Sequence, residues 1–84
     1  MQAHGPRNSR TRNMILQYIS SFASRQGRQP SVREIGEAAG LMSTSTTAGY
    51  LHRMVREGLL TEHDQARRKY SVSAVGLAML EKAG

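Results

Sequence analysis

GRQPSVREIGEAAGLMSTSTTAGYLHRMVREGLL, residues 27–60, contains two amphipathic helical patterns joined by a short glycine-containing turn, and a run of hydroxyl residues opens the second pattern. Pro30 biases the residue before it away from helical dihedrals, so 27–30 read as a loop. Ser31 and Glu34 have the spacing of a capping box, each side chain satisfying an orphan backbone donor of a new helix. Val32, Ile35 and Ala39 supply the buried face of that helix. Gly40 suits a tight corner because a positive φ there carries no Cβ penalty, and Leu41 is expected to turn into the core. Ser43 or Ser45 then caps a further helix. Its inward stripe is Thr47, Leu51, Met54, Val55 and Leu59, leaving Ser45, Thr46, Ala48, Gly49, His52, Arg53 and Arg56 outward, and Gly58 closes it.

Upstream, Ile15, Ile19 and Phe22 recur at helical spacing, with Leu16 and Ala23 widening the stripe. This predicts a helix starting near Ser9 as N-cap and stopping at Gln26 before Gly27. Residues 1–8, MQAHGPRN, show no periodicity and read as a flexible N-terminal arm, with the folded domain at 9–84. Downstream, Leu60 and Glu62 alternate with their neighbours, as do Tyr70 and Val72, giving two short strands of a hairpin with 64–68 at its tip. A last apolar helix is predicted over about 73–82, with Val75, Ala78 and Met79 on one side and Leu77 and Leu80 widening it. Met14, Met42, Met54 and Met79 are expected to fill the core or its edge. The expected fold is mainly α with a small β-hairpin: a winged helix-turn-helix with a three-helix core, a two-stranded wing and a C-terminal helix.

An 84-residue chain suits one small domain with a modest core, which leaves little room for an elaborate catalytic cavity. With zero cysteines it has neither a disulfide framework nor a thiolate zinc site. His4, His52 and His63 are too scattered for a metal site. Ser9, Ser31 and Ser43 all have capping explanations, so no nucleophile, base and orienter assemble and an enzyme is the least expected class. No cofactor is implied. Apolar runs are too short to span a bilayer and no signal peptide opens the chain, so a cytoplasmic protein is expected.

The net charge of +6 is unevenly spread. Residues 1–28 carry Arg7, Arg10, Arg12, Arg25 and Arg28 with no acid; 29–64 carry Arg33, Arg53 and Arg56 against Glu34, Glu37, Glu57, Glu62 and Asp64; 65–84 carry Arg67, Arg68, Lys69 and Lys82 against Glu81. Basic flanks around a neutral reading helix fit a polyanionic partner gripped on both sides. The major groove accepts an α-helix and displays a distinct donor and acceptor pattern at each base pair. Ser45, Thr46, Gly49 and Arg53 are the expected base-facing residues: hydroxyls to bond, a Thr46 methyl to meet thymine, small Ala48 and Gly49 for close approach, and Arg53 for guanine or phosphate. The alternative for the hydroxyl run is capping plus a solvated face, Ser43 being mainly a cap. Arg10, Arg12, Arg28, Arg33, Ser43, Tyr50 and the wing residues Arg67, Arg68 and Lys69 are the expected phosphate contacts. Tyr50 either bonds a phosphate or covers the edge of the core.

Residues 27–60 resemble the N-terminal DNA-binding domain of LexA-type repressors. The resemblance is carried by Gly27, Pro30, Ser31, Glu34, Ile35, Gly40, Ser43, Tyr50, Leu51, Met54, Gly58, Leu59 and Leu60 without a gap, and with helix and hairpin it covers roughly 9–72. It implies a winged helix-turn-helix and a DNA-binding transcriptional repressor. The tail from Tyr70 through Gly76 into LAMLEKA is similar instead to the ends of MarR or PadR winged helices, where such a helix often serves dimerisation. LexA proteins join this domain to a self-cleaving serine and lysine protease, for which these 84 residues have no room, so autoproteolysis is not expected to transfer. Only Ser43 matches the family at its base-reading positions, so a different operator is expected.

The function expected is therefore sequence-specific binding of double-stranded DNA by a homodimer, with the C-terminal helix as the candidate interface, acting as a transcriptional regulator on the nucleoid. The alternatives are a winged helix used for protein interaction through that last helix, and a nonspecific architectural or RNA-binding protein whose charge acts without base readout.

Overall fold

The computed structural model describes the backbone of residues 4–64 and 69–83, and the side chains of 10–63 and 69–82. Chain order is α1 (His4–Gln26), α2 (Val32–Ala38), α3 (Thr44–Arg56), β1 (Leu60–Asp64), β2 (Lys69–Val72) and α4 (Ala74–Ala83). Mainly helical with one two-stranded antiparallel sheet, it is a winged helix-turn-helix.

The expected stripe of α1 is buried: Ile15, Leu16 and Ile19 are fully covered and Phe22 nearly so. The helix begins earlier than expected, at His4, which places Ser9 in its second turn and not at its N-terminus. Pro6 causes no break, because it stands in the first turn, where the backbone N–H groups have no helical partner to lose. The missing apolar periodicity of 4–8 had suggested non-helical backbone at this end.

α2 opens on the predicted capping box. Ser31 Oγ accepts from Glu34 N at 3.1 Å and Ser31 N donates to Glu34 Oε1 at 2.8 Å. It closes on a Schellman motif: Leu41 N donates to Gly36 O at 2.8 Å and Gly40 N to Glu37 O at 3.2 Å, with Gly40 at φ 74°. Leu41 is only half-buried there, because the motif keeps its backbone in the turn and outside the core cluster.

α3 buries Thr47, Leu51 and Met54. It meets α2 where neither helix has bulk. A Cβ at Gly36 would lie 2.5 Å from Thr47 Oγ1, and that hydroxyl already donates to Ser43 O at 3.0 Å. A glycine inside a seven-residue helix costs roughly 1 kcal/mol against alanine, and close approach of α3 is what it permits.

The hairpin pairs Leu60 with Val72, Thr61 with Ser71, Glu62 with Tyr70 and Asp64 with Lys69, shifting register between Glu62 and Asp64. β1 thus extends through Asp64, which was expected in the tip. Leu60 and Tyr70 are buried in the core with α1 and α3. Ser73 begins α4: its Oγ accepts from Gly76 N at 3.1 Å and its N donates to Leu59 O at 2.9 Å. The core side of α4 is Gly76 and Leu80. Val75 and Met79, expected on its packing side, are exposed, because Gly76 abuts the Leu59 carbonyl and turns that side toward the hairpin root.

Of the methionines assigned to the core or its edge, Met54 is inside, whereas Met14, Met42 and Met79 are exposed, Met42 at 98%. Met42 falls in the corner between Leu41 and the Ser43 cap, where the turn leaves no neighbouring surface to cover it.

Gly36→Ala is expected to lower stability, because overpacking of about 1–3 kcal/mol outweighs the roughly 1 kcal/mol gained in helix propensity. Adding Thr47→Ala removes the clashing hydroxyl, so the double variant should lose less than the sum of the single losses in urea denaturation.

Candidate nucleic-acid interface

α3 is held at its first turn by Ser43, whose Oγ accepts from Thr46 N at 3.1 Å and donates to Thr46 Oγ1 at 3.0 Å. Ser43 is thus the N-cap, with its hydroxyl committed to the helix. Thr46 keeps its own hydroxyl proton and methyl for the outside. Ser45, Thr46, Gly49 and Arg53 are all exposed on the side opposite Thr47, Leu51 and Met54, as a period of 3.6 requires. Val32, Thr44, Ser45, Ala48, Gly49 and His52 line a shallow groove between the start of α2 and this face. The structure therefore brings the four expected base-facing residues together on one helix.

The expected phosphate-binding cations fare differently. Arg12 reaches across to the C-cap of α3 and donates to both carboxylate oxygens of Glu57, at 2.8 and 2.7 Å. Arg28 pairs with Glu34 at 3.4 Å and lies over the Phe22 ring at 4.7 Å. Arg33 pairs with Glu37 at 3.5 Å one turn along α2. Arg10 is exposed on α1, and Lys69 is half-buried at the start of β2. Arg67 and Arg68 lie outside the described residues. Tyr50 packs against the core cluster and has the Arg53 guanidinium carbon 5.7 Å from its ring centroid.

Arg56 was outward in the sequence pattern but not selected as a contact. It is exposed, follows Ser45, Gly49 and His52 along one line of α3, and forms no ion pair among the described residues. Its position at i+11 from Ser45 was the available signal.

Glu34 is held below the ordinary carboxylate range, first by the Ser31 backbone N–H and then by Arg28. Among the described residues no group of three or more histidines, acids or cysteines could hold a metal ion, and no helix is long and apolar enough to cross a membrane. On α4, Val75, Leu77 and Met79 leave an apolar surface, with Val75 57% exposed.

A capped helix presenting hydroxyls, a glycine and arginines, set on a fixed corner and followed by a hairpin, defines a winged-helix DNA-binding domain. The chain belongs to the LexA DNA-binding domain family, whose sequence pattern matches residues 8–69. It is similar to the LexA repressor of Leuconostoc mesenteroides, 44% identical over 68 residues, covering 79% of this chain and 32% of that protein. It is also similar to the LexA repressor of Limosilactobacillus fermentum, 37% identical over 76 residues (89% and 36%). With that of Bacillus licheniformis it shares 52% identity over 46 residues (55% and 22%). The chain thus spans about a third of the length of the first of these relatives.

Replacing Glu57 by Gln releases Arg12 and removes a negative charge beside the end of α3. The variant should bind duplex DNA more tightly whatever its sequence, with a salt slope steeper by up to about one; an unchanged slope in fluorescence anisotropy would refute this. For Glu34, a lowered folded pKa means a stabilisation complete above the ordinary glutamate range and lost as pH falls through the lowered value. The melting-temperature advantage of wild type over Glu34→Gln should shrink on acidification across that window.

Proposed function

We propose that this chain is the DNA-reading part of a sequence-specific transcriptional repressor that binds double-stranded DNA as a homodimer, with α3 in the major groove. The observation that carries this reading is the outward face of α3, where Ser45, Thr46, Gly49 and Arg53 stand exposed together on a helix whose opposite side is core. Small residues let the helix approach the base edges, hydroxyls serve either donor or acceptor, and Arg53 offers a fork suited to guanine O6 and N7. Arg10, Arg12, Arg28, Arg33, Tyr50, Lys69 and the wing-tip Arg67 and Arg68 supply phosphate contacts, and Arg56 joins them. Ser43 contributes through the cap that aims Thr46. The chain itself acts by binding and not by catalysis, with the bacterial cytoplasm and nucleoid as its place of work.

Dimerisation is supported by α4. It is apolar nearly all round, yet among its described residues only the Gly76 and Leu80 side is covered, and a helix of that character is normally enclosed. A second copy related by a two-fold axis would cover Val75 and Leu77 and match two half-sites about one helical turn, ~34 Å, apart.

Selection from a random duplex library, followed by titration of the winner against scrambled duplex, tests the function. An inverted repeat bound at least about a thousandfold over scrambled DNA is expected; no enrichment would refute it. Thr46→Ala and Arg53→Ala should relax base preference by about 1–3 kcal/mol, whereas Arg56→Ala should weaken all sequences alike. Val75→Glu with Leu77→Glu, both at exposed positions, should give a monomer in sedimentation; a persistent dimer would remove α4 from the interface.

A further inference from the structure

The geometry points to Tyr50 as a positioning residue that holds the Arg53 guanidinium for base reading, an inference that rests on the reading of Arg53 as a base contact. Two placements meet at this pair. The Tyr50 ring is half-buried and packed against the core cluster, so its direction is set from inside the protein. Arg53, three residues on and exposed, is a helical neighbour of Tyr50, and its guanidinium carbon sits 5.7 Å from that ring centroid, within cation–π range. An exposed arginine otherwise samples many rotamers, and ordering it on binding subtracts from affinity.

The way Arg53 is held differs from that of the other tethered arginines. Arg12 and Arg33 are held by carboxylates, and so is Arg28 in addition to its ring contact. A carboxylate neutralises the charge and occupies the N–H donors a nucleic acid would need. A tyrosine ring attracts the guanidinium through its quadrupole, leaves its charge in place and uses none of the donors. Arg53 is therefore restrained while its donor fork stays open for the bidentate contact that distinguishes guanine. Arg56, one turn on, has neither restraint among the described residues and suits a phosphate, where orientation matters less.

Wild type, Tyr50→Phe, Tyr50→Leu, Arg53→Ala and Arg56→Ala, each in the full chain, are compared by library selection and by titration of single-base variants of the selected site. Arg53→Ala should relax preference at one base-pair position. Tyr50→Leu should weaken preference at that same position by about two- to fivefold, the change equivalent to an exposed cation–π contact, while Tyr50→Phe retains it. Adding Tyr50→Leu to Arg53→Ala should then produce no further loss there.

If Arg53→Ala leaves every position unchanged, the base-reading role of Arg53 falls and the inference with it. If Arg53→Ala relaxes a position that stays sharp in Tyr50→Leu, or Tyr50→Leu weakens all sequences evenly, only the positioning role is overturned. One measurement needs no variant, should Tyr50→Leu fail to fold: side-chain Nε relaxation of the free wild-type chain. Arg53 is expected to be more ordered than Arg56, and equal order would overturn the proposal.

Discussion

The corner between α2 and α3 depends on a place where a single carbon does not fit. At Gly36 a Cβ would stand 2.5 Å from Thr47 Oγ1, so the two helices come as near as backbone and one hydroxyl allow. Thr47 can lie there, fully buried, because its hydroxyl is satisfied within its own helix by Ser43 O; a buried hydroxyl without a partner would be costly. The same Ser43 caps α3 through its side chain. Packing of the corner, satisfaction of its one buried polar side chain and the start of α3 are thus parts of one arrangement. With Thr47 pinned inward, helical geometry sends Ser45, Gly49 and Arg56 the other way.

The far end of α3 repeats the device used at the corner and ties the wing to it. Leu59 N returns to Met54 O at 2.9 Å and Gly58 N to Val55 O at 3.0 Å, a second Schellman closure with Gly58 at φ 84°. Leu59 and Met54 both lie in the core cluster, the apolar contact that accompanies this motif. Ser73 then returns to the same two residues, N to Leu59 O and Oγ to Gly58 O, and Gly76 lets α4 lie against the Leu59 carbonyl. Both strands of the hairpin and the start of α4 therefore depart from the point where α3 stops. The wing root is thereby fixed relative to α3, as the proposed two-sided grip on a duplex would require.

What could be read from the sequence was what is local. The stripe of Ile15, Leu16, Ile19 and Phe22, the Ser31 and Glu34 box, the glycine-closed ends and the inward set of Thr47, Leu51 and Met54 all follow from short-range periodicity or capping chemistry, and they stand as read. So does the outward grouping of Ser45, Thr46, Gly49 and Arg53, because one helix face determines it. The start of α1 was misplaced because residues 4–8 carry no apolar stripe by which a helix could be recognised. Met42 was assigned inward on residue type alone, and nothing local records that the turn leaves it uncovered. Gly36 passed unnoticed although a glycine inside a short helix is itself a packing signal. The Arg12 and Glu57 pair, 45 residues apart, belongs to tertiary structure and has no local trace.

That last pairing changes how the basic character is to be understood. Summed along the chain, the cations form two flanks; in space, Arg12, Arg28 and Arg33 each face a carboxylate. The Arg33 and Glu37 side chains are largely exposed, and exposed ion pairs contribute little to stability, so there a phosphate would displace the carboxylate at small cost, whereas Arg12 is half-buried against Glu57. Until then the carboxylates hold the guanidiniums in defined places and lower the attraction to polyanions at large. The first turns of the α3 outward face carry no charge at all. On the proposed reading of α3, affinity for any duplex is moderated at the flanks and discrimination falls to the hydroxyls, Gly49 and Arg53 of its outward face. For a DNA-binding domain of this family such a division would be favourable, because what counts on a genome is the ratio of specific to nonspecific binding and not either alone.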